Sequence, residues 1–62
     1  MCELNVFLSK GEEKEKILDG VVRITVQDDG VLLEGIFGES KKVEGRLTKV
    51  DIMAQTAEII AN

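Results

Sequence analysis

The sequence VVRITVQ at residues 21–27, followed by DDG at 28–30 and VLLEGIF at 31–37, decides the fold class. Most of its first seven residues are β-branched, which favours an extended chain. A period of two predicts a strand with Val22, Ile24 and Val26 on one face and Arg23, Thr25 and Gln27 on the other. Because Gly tolerates a positive φ, Asp28-Asp29-Gly30 predicts a tight hairpin that returns residues 31–37 as the partner strand. Two carboxylates could bind a cation there, but a β-turn explains the same residues.

Further short strands are predicted before and after this hairpin. Residues 2–8 alternate as a strand, and the charged run at 12–16, where a short helix competes, is predicted as part of an exposed hairpin. We place Phe7 and Phe37 in the core or an interface. The remaining predictions are a returning strand at 16–18, turns at 9–12, 19–20, 38–40 and 54–56, an edge strand at 41–44, a break at Gly45-Arg46, and strands at 49–53 and 57–61, the last competing with a C-terminal helical turn.

This spacing predicts an all-β protein, a small SH3-like or Sm-like barrel of six or seven short antiparallel strands, with residues 1–62 as one domain. A core built from 62 residues is marginal, and a single Cys excludes an intrachain disulfide. Because small scaffolds then depend on a metal or on association, we expect a homodimer or a bound metal. The start of the chain lacks the pattern of a signal peptide and no segment is long enough to span a membrane, so a cytoplasmic location is expected.

The side-chain inventory argues against catalysis. The sequence has no His, which removes the commonest general base and metal ligand. It has no Cys-x-x-Cys pair and no glycine-rich phosphate loop, and no base is available to activate a Ser or Thr. We therefore expect a protein that is not an enzyme.

A net charge of −4, from 12 acidic and 8 basic side chains, disfavours binding to nucleic acid.

Cys2 stands out because of its position at the chain terminus. In a buried strand position it would be an ordinary core residue. The alternative is a chelate: the Met1 amine, the Cys2 amide nitrogen and the Cys2 thiolate form adjacent five-membered rings around a metal and leave one place of a square plane open. If Met1 is removed, the amine and thiolate of Cys2 from two chains related by a twofold axis complete an N2S2 plane. Such donor sets suit Ni(II), with Cu(II) in competition.

The sequence resembles the CooT family of carbon monoxide dehydrogenase accessory proteins. The resemblance rests on the Met1-Cys2 start, the LDGV segment at residues 18–21, Ile36-Phe37, the turn at Gly45 and the VDI segment at 50–52. It implies a small cytoplasmic homodimer that binds Ni(II) through Cys2 and serves nickel delivery to carbon monoxide dehydrogenase or a similar nickel enzyme. Within this chain the implied metal ligands are Cys2 and the backbone amine of Met1.

Two other functions remain open at the level of sequence. Members of the family have also been described as RNA-binding, in keeping with an Sm-like barrel. That function requires one contiguous basic patch, for which the candidates are Arg23, Lys41, Lys42, Arg46 and Lys49. A protein-interaction domain without metal or RNA, which uses a sheet edge or an apolar patch, is the third hypothesis.

Overall fold

The alternating apolar pattern builds six β-strands and no helix in residues 3–62, the residues that the computed structural model describes. The prediction of an all-β fold is therefore confirmed. These residues also contain no helix long and apolar enough to cross a membrane. In chain order the strands are β1 (Leu4–Lys10), β2 (Glu13–Gln27), β3 (Gly30–Gly35), β4 (Ser40–Val43), β5 (Gly45–Asp51) and β6 (Thr56–Ala61).

All six strands form one sheet, in the spatial order β4-β3-β2-β1-β6-β5. The sheet curls into a half-barrel, so that β3 approaches β5, although the two are far apart in the strand order. Four of the neighbouring pairs are antiparallel, as predicted, but β1 and β6 run parallel. The chain closes this parallel pair through the intervening four strands, a connection that local turn signals do not reveal.

Strand β2 is longer than predicted because it does not turn back at Asp19-Gly20. Its first half pairs with β1 and its second half pairs with β3. Gly20 has a φ of 65°, lies within a register shift of the β1 pairing and comes just before the register shift of the β3 pairing, so it bends the strand instead of ending it. The predicted turn at this position is wrong for that reason. The bend lets one strand serve two parts of the curled sheet.

The core lies on the concave side of the sheet. The fully or almost fully buried side chains are Val6, Val21, Val31, Leu33, Val43, Ala57 and Ile59. The predicted apolar face of β2 needs correction, since Val22 and Val26 are 51% and 64% exposed while Val21 is completely buried. The register shift after Val21 displaces Val22 from the core, and Val26 lies near the tip of the β2–β3 hairpin. Of the three predicted residues only Ile24 packs against the core.

Phe7 lies half-buried on the convex side of β1, opposite Lys16 on β2 and Glu58 on β6. The ammonium of Lys14 stands 5.2 Å from the centre of the Phe7 ring, and it also forms an ion pair with Glu58 at 3.2 Å. A cation over an aromatic face adds a modest attraction at such partly exposed positions. The three side chains form a cross-strand cluster that holds β2, β1 and β6 together from outside.

The C-terminal segment is strand β6, which excludes the alternative of a helical turn at residues 57–61. Its register places Ile59 beside Leu8 on the parallel neighbour β1 and opposite Leu47 on β5. Ile59 is fully buried, whereas the next residue, Ile60, is 48% exposed. Adjacent isoleucines on opposite faces are the signature of an extended chain.

This pair supplies a matched test of the fold. Ile59→Ala removes a fully buried side chain and is expected to lower the free energy of unfolding by about 2–5 kcal/mol, and Ile59→Val by about 0.5–1.5 kcal/mol. Ile60→Ala changes the same residue type one position along the chain, and its effect is expected to be clearly smaller than that of Ile59→Ala. Urea denaturation followed by circular dichroism, at one fixed protein concentration, measures the difference. Equal losses for the two alanine variants would contradict the strand register.

Candidate metal-binding terminus

The two predicted metal ligands, Cys2 and the Met1 amine, lie outside the described residues 3–62. The structure does fix the point from which they extend. Leu4, the first residue of β1, pairs with Val21 at the bend of β2. On the other side of β1, the amide of Asn5 donates a 2.9 Å hydrogen bond to the carbonyl of Gln55. The chain start is therefore held between β2 and the turn that precedes β6.

A turn at residues 36–38 flanks this point on the β2 side. Its frame is a set of backbone hydrogen bonds: the amide of Gly35 donates to the Glu39 carbonyl at 2.8 Å, and the amide of Ile36 donates to the Gly20 carbonyl at 2.9 Å. The Glu39 carboxylate also accepts the amide hydrogen of Phe37 at 3.0 Å. That carboxylate occupies the space beside Gly35 that a side chain would fill. The turn holds Phe37 outward with 91% of its surface exposed.

A second turn, at residues 52–55, flanks the chain start on the β6 side. The Asp51 carboxylate accepts the amide hydrogen of Ala54 at 3.0 Å, and the amide of Gln55 donates to the Ile52 carbonyl at 3.2 Å. Gln55 adopts a φ of 58°, a conformation that costs energy for a residue other than glycine. This turn displays Met53, which is 98% exposed.

We call the surface formed by Glu3, Ile36, Phe37, Ile52 and Met53 the terminal face. Its four apolar side chains are each at least 37% exposed, and they stand on two turns on either side of the chain start. A groove of about 330 Å³ opens beside Phe37, and Glu3, Asn5 and Asp19 are among the residues that line it. The surroundings of the terminus are therefore apolar at the two turns and acidic between them. Acidic side chains favour a nearby cation.

The prediction of strands through Phe37 and through Met53 is wrong, because β3 ends at Gly35 and β5 ends at Asp51. Both strands end at a turn in which a carboxylate accepts a backbone amide hydrogen. Phe37 was predicted to lie in the core or in an interface. Its exposure excludes the core, and the interface stays a prediction. The sequence signal for the first turn was the spacing of Gly35 and Gly38, of which Gly38 has a φ of 88°. The second turn carries no glycine and gave no comparable signal.

Side chains of the described part of the chain do not form a metal site by themselves. Among residues 3–62, no group of three or more His, Cys, Asp or Glu is close enough to hold a metal ion. The Asp28-Asp29-Gly30 sequence is a hairpin turn, and the Asp29 carboxylate pairs with Lys42 at 3.0 Å.

The five basic residues of the RNA-binding hypothesis lie on three strands, β2, β4 and β5. Arg23 on β2 pairs with Glu34 at 3.7 Å, and Lys42 on β4 pairs with Asp29. Lys41 is opposite the buried Leu33, so it alternates to the other side of β4 from Lys42. Arg46 and Lys49 lie on β5, which follows β4 after one residue and approaches β3 in the curled sheet. This distribution gives no observation in favour of a contiguous basic patch.

These features define a small all-β half-barrel protein that displays apolar side chains around its chain start. A family model described as CO dehydrogenase accessory protein CooT matches residues 1–60. The chain therefore belongs to the CooT family, and the predicted resemblance is confirmed. A crystal structure described as a putative CooT from Carboxydothermus hydrogenoformans superposes with a TM-score of 0.88 at 24% sequence identity, over 98% of both chains, and shows the same fold. The comparison with curated protein sequences gave no match.

The Lys42–Asp29 pair yields a testable consequence for the basic residues. The hydrogen bond and charge of Lys42 lower the pKa of Asp29 below its ordinary value. Since the depressed pKa belongs to the folded state, the contribution of the pair to stability is present at neutral pH and is lost as the pH falls through that pKa. Lys42→Met is expected to raise the pKa of Asp29, whereas Lys41→Met, on the other side of β4, leaves it nearly unchanged. Carboxyl NMR titration distinguishes these results, and an unchanged Asp29 pKa in Lys42→Met would contradict the pairing.

Proposed function

We propose that this chain is a nickel-binding accessory protein that delivers nickel to, or stores it for, a nickel enzyme such as CO dehydrogenase. The observation that carries the proposal is the CooT family match, which begins at residue 1 and includes Met1-Cys2. The family establishes the accessory role for CO dehydrogenase. The metal, its ligands and the mode of delivery are the proposed part, and the protein performs this role without catalysing a reaction.

The proposed ligands are the Cys2 thiolate and the terminal amine, with the Cys2 amide nitrogen in between when Met1 is retained. Consecutive donors of one short segment close five-membered rings, so the metal binds with little loss of chain entropy beyond ordering two residues. Mixed nitrogen and thiolate donors in a plane suit Ni(II), and Cu(II) competes for the same set. This choice agrees with the described residues, which offer no competing cluster of ligands between Glu3 and Asn62.

The surroundings of the terminus support a cation there. Glu3 directly follows the proposed ligands, and Asp19 lines the adjoining groove. The negative charge of Glu3 favours a divalent ion and offsets part of the repulsion between it and the terminal ammonium before that group loses its proton. Asp19 contributes less, because its carboxylate pairs with Lys16 at 3.7 Å. A metal held at the terminus would have to exchange with a recipient protein.

A homodimer in the cytoplasm completes the proposal. The Met1-Cys2 segment of one chain provides two or three of the four donors in a square plane, so a second chain can supply the remainder. The marginal core of a 62-residue chain is an independent argument for association. The acidic net charge and the pairing of Arg23 and Lys42 with carboxylates do not favour the RNA-binding alternative. The exposed apolar side chains of the terminal face are compatible with contact to another protein during metal delivery.

Titration of the untagged protein with Ni(II) tests the proposal. Thiolate-to-metal absorption is expected to grow to a plateau, and binding is expected to strengthen as the pH rises because the thiol must lose its proton. Cys2→Ser is expected to abolish this band and to weaken binding by at least a hundredfold. Binding of Ni(II) to Cys2→Ser as tightly as to the parent protein would refute the proposal.

Two controls separate chelation at the terminus from adventitious binding. A retained N-terminal tag blocks the free amine while leaving Cys2 in place, and it is expected to reduce Ni(II) affinity markedly. Met53→Ser removes the sulfur-bearing side chain that the turn before β6 displays, and it is expected to leave the per-site absorption spectrum of the Ni(II) complex unchanged. Loss of the band in Met53→Ser would place the metal on the Met53 sulfur and contradict its binding by Cys2.

A further inference from the structure

We infer that the outer side of the sheet carries a docking surface for an acidic, extended segment of another protein. The surface lies on the convex side of four neighbouring strands, in the spatial order β2-β1-β6-β5. It includes neither the chain start nor the terminal face, and it does not depend on nickel binding.

The strand register brings eight side chains into two adjacent rows on this side. Residues that pair across neighbouring strands project to the same side of a sheet. Read from β2 to β5, one row consists of Lys14, Ser9, Ile60 and Arg46. The row beside it consists of Lys16, Phe7, Glu58 and Lys49. We call these eight residues the convex patch. Ala57 and Ile59, which alternate with its β6 members, are fully buried in the core.

Charge is distributed unevenly between the convex patch and the rest of the chain. The patch holds four of the 8 basic side chains and one of the 12 acidic ones, in a chain with a net charge of −4. Three strand spacings separate its β2 cations from its β5 cations, so a basic residue stands near each corner of an area about 14 Å by about 7 Å. Neither Arg46 nor Lys49 belongs to an ion pair formed within residues 3–62. Both exposed cations can therefore pair with carboxylates of a partner.

The centre of the convex patch is partly apolar, and its one carboxylate is already engaged. Phe7 is half-buried and Ile60 is 48% exposed. The Lys14 ammonium stands 5.2 Å from the centre of the Phe7 ring and pairs with Glu58 at 3.2 Å. A partner therefore meets apolar side chains with cations on both sides of them.

These dimensions match a short extended segment that crosses the four strands. An extended chain advances about 3.3 Å per residue and alternates its side chains between two sides. Side chains i and i+4 then stand about 13 Å apart on one side, with i+2 between them. Carboxylates at i and i+4 reach the cations of β2 and β5, while an apolar side chain at i+2 contacts Phe7 or Ile60. The convex patch thus fits the pattern acidic-x-apolar-x-acidic.

Two features favour a protein segment over a nucleic acid. Base stacking needs an open aromatic face, whereas the Lys14 ammonium lies over the Phe7 ring. The net charge of −4 also opposes a long polyanion that extends beyond the patch. An area of this size is smaller than a stable protein interface, so the contact is expected to be weak and sensitive to salt, as in a transient complex.

NMR titration of the full chain with the capped peptide acetyl-Ser-Glu-Thr-Leu-Thr-Glu-Ser-amide tests this inference. Amide shifts are expected to concentrate on the convex patch, and binding is expected to weaken when NaCl is raised to about 0.3 M. A peptide with Gln in place of both Glu residues is expected not to bind. Amide spectra of the free variants confirm that each is folded.

Three variants locate the contact. Arg46→Gln/Lys49→Gln is expected to weaken binding of the acidic peptide by about threefold to tenfold, since two exposed ion pairs are lost. The matched control Arg23→Gln/Lys41→Gln makes the same change in net charge outside the convex patch and is expected to leave the affinity nearly unchanged. Glu58→Gln releases Lys14 from its ion pair and is expected to tighten binding.

Several results would overturn this inference. They are a titration without localised shifts, equal binding of the Gln peptide, and equal weakening in the control variant. Tighter binding of an oligouridylate than of the acidic peptide at the same residues would overturn the choice of a protein segment. Cys2→Ser is expected to bind the peptide like the parent, so a failure of the proposed nickel site and a failure of this docking surface are observed separately.

Discussion

The continuity of β2 through Gly20 is the constraint on which the rest of the structure depends. One strand of 15 residues pairs with β1 along its first half and with β3 along its second half. The positive φ of Gly20 allows the bend without ending the strand. A side chain at this position would be strained by that φ. Because of the bend, β1 begins beside the middle of β2, and the chain start lies at the same end of the sheet as the turn after β3.

The parallel pairing of β1 with β6 adds the other half of this arrangement. It brings the residues before β6 alongside the beginning of β1, where Asn5 bonds to Gln55. Two turns that are 16 positions apart in the sequence, at Phe37 and Met53, thus flank one chain terminus. The core on the concave side is small and consists mainly of Val, Leu and Ile side chains. Much of the remaining apolar surface lies outside the core, and its largest exposed members gather at these turns.

The sequence was sufficient to predict strands, hairpins and the fold class, because a period of two and glycine-bearing turns are local signals. It predicted the hairpin at Asp28-Asp29-Gly30 and the edge strand around Val43 correctly. It failed at Gly20, where the same dipeptide chemistry serves a turn or a bend, and the choice depends on pairing with strands distant in the sequence. It also failed at Phe37 and Met53, which continue an alternating pattern but lie beyond a capped turn. The parallel β1–β6 pair has no local signal at all.

The terminal ligands Met1 and Cys2 could be proposed from chemistry and family resemblance. The exposed apolar side chains on the two turns beside the beginning of β1 became apparent only from the fold.

The membership in the CooT family and the position of the chain start give Cys2 its significance. The proposed shared metal would bring the thiolate and amine of one terminus beside those of a second copy. Native mass spectrometry of the untagged protein with Ni(II) tests the shared-metal dimer most directly. The predicted species has twice the 6.8 kDa chain mass and carries one Ni(II) per two chains, with the state of Met1 read from the same spectrum. A monomer that binds its own nickel ion, or a dimer without nickel at saturating metal, would contradict the central claim.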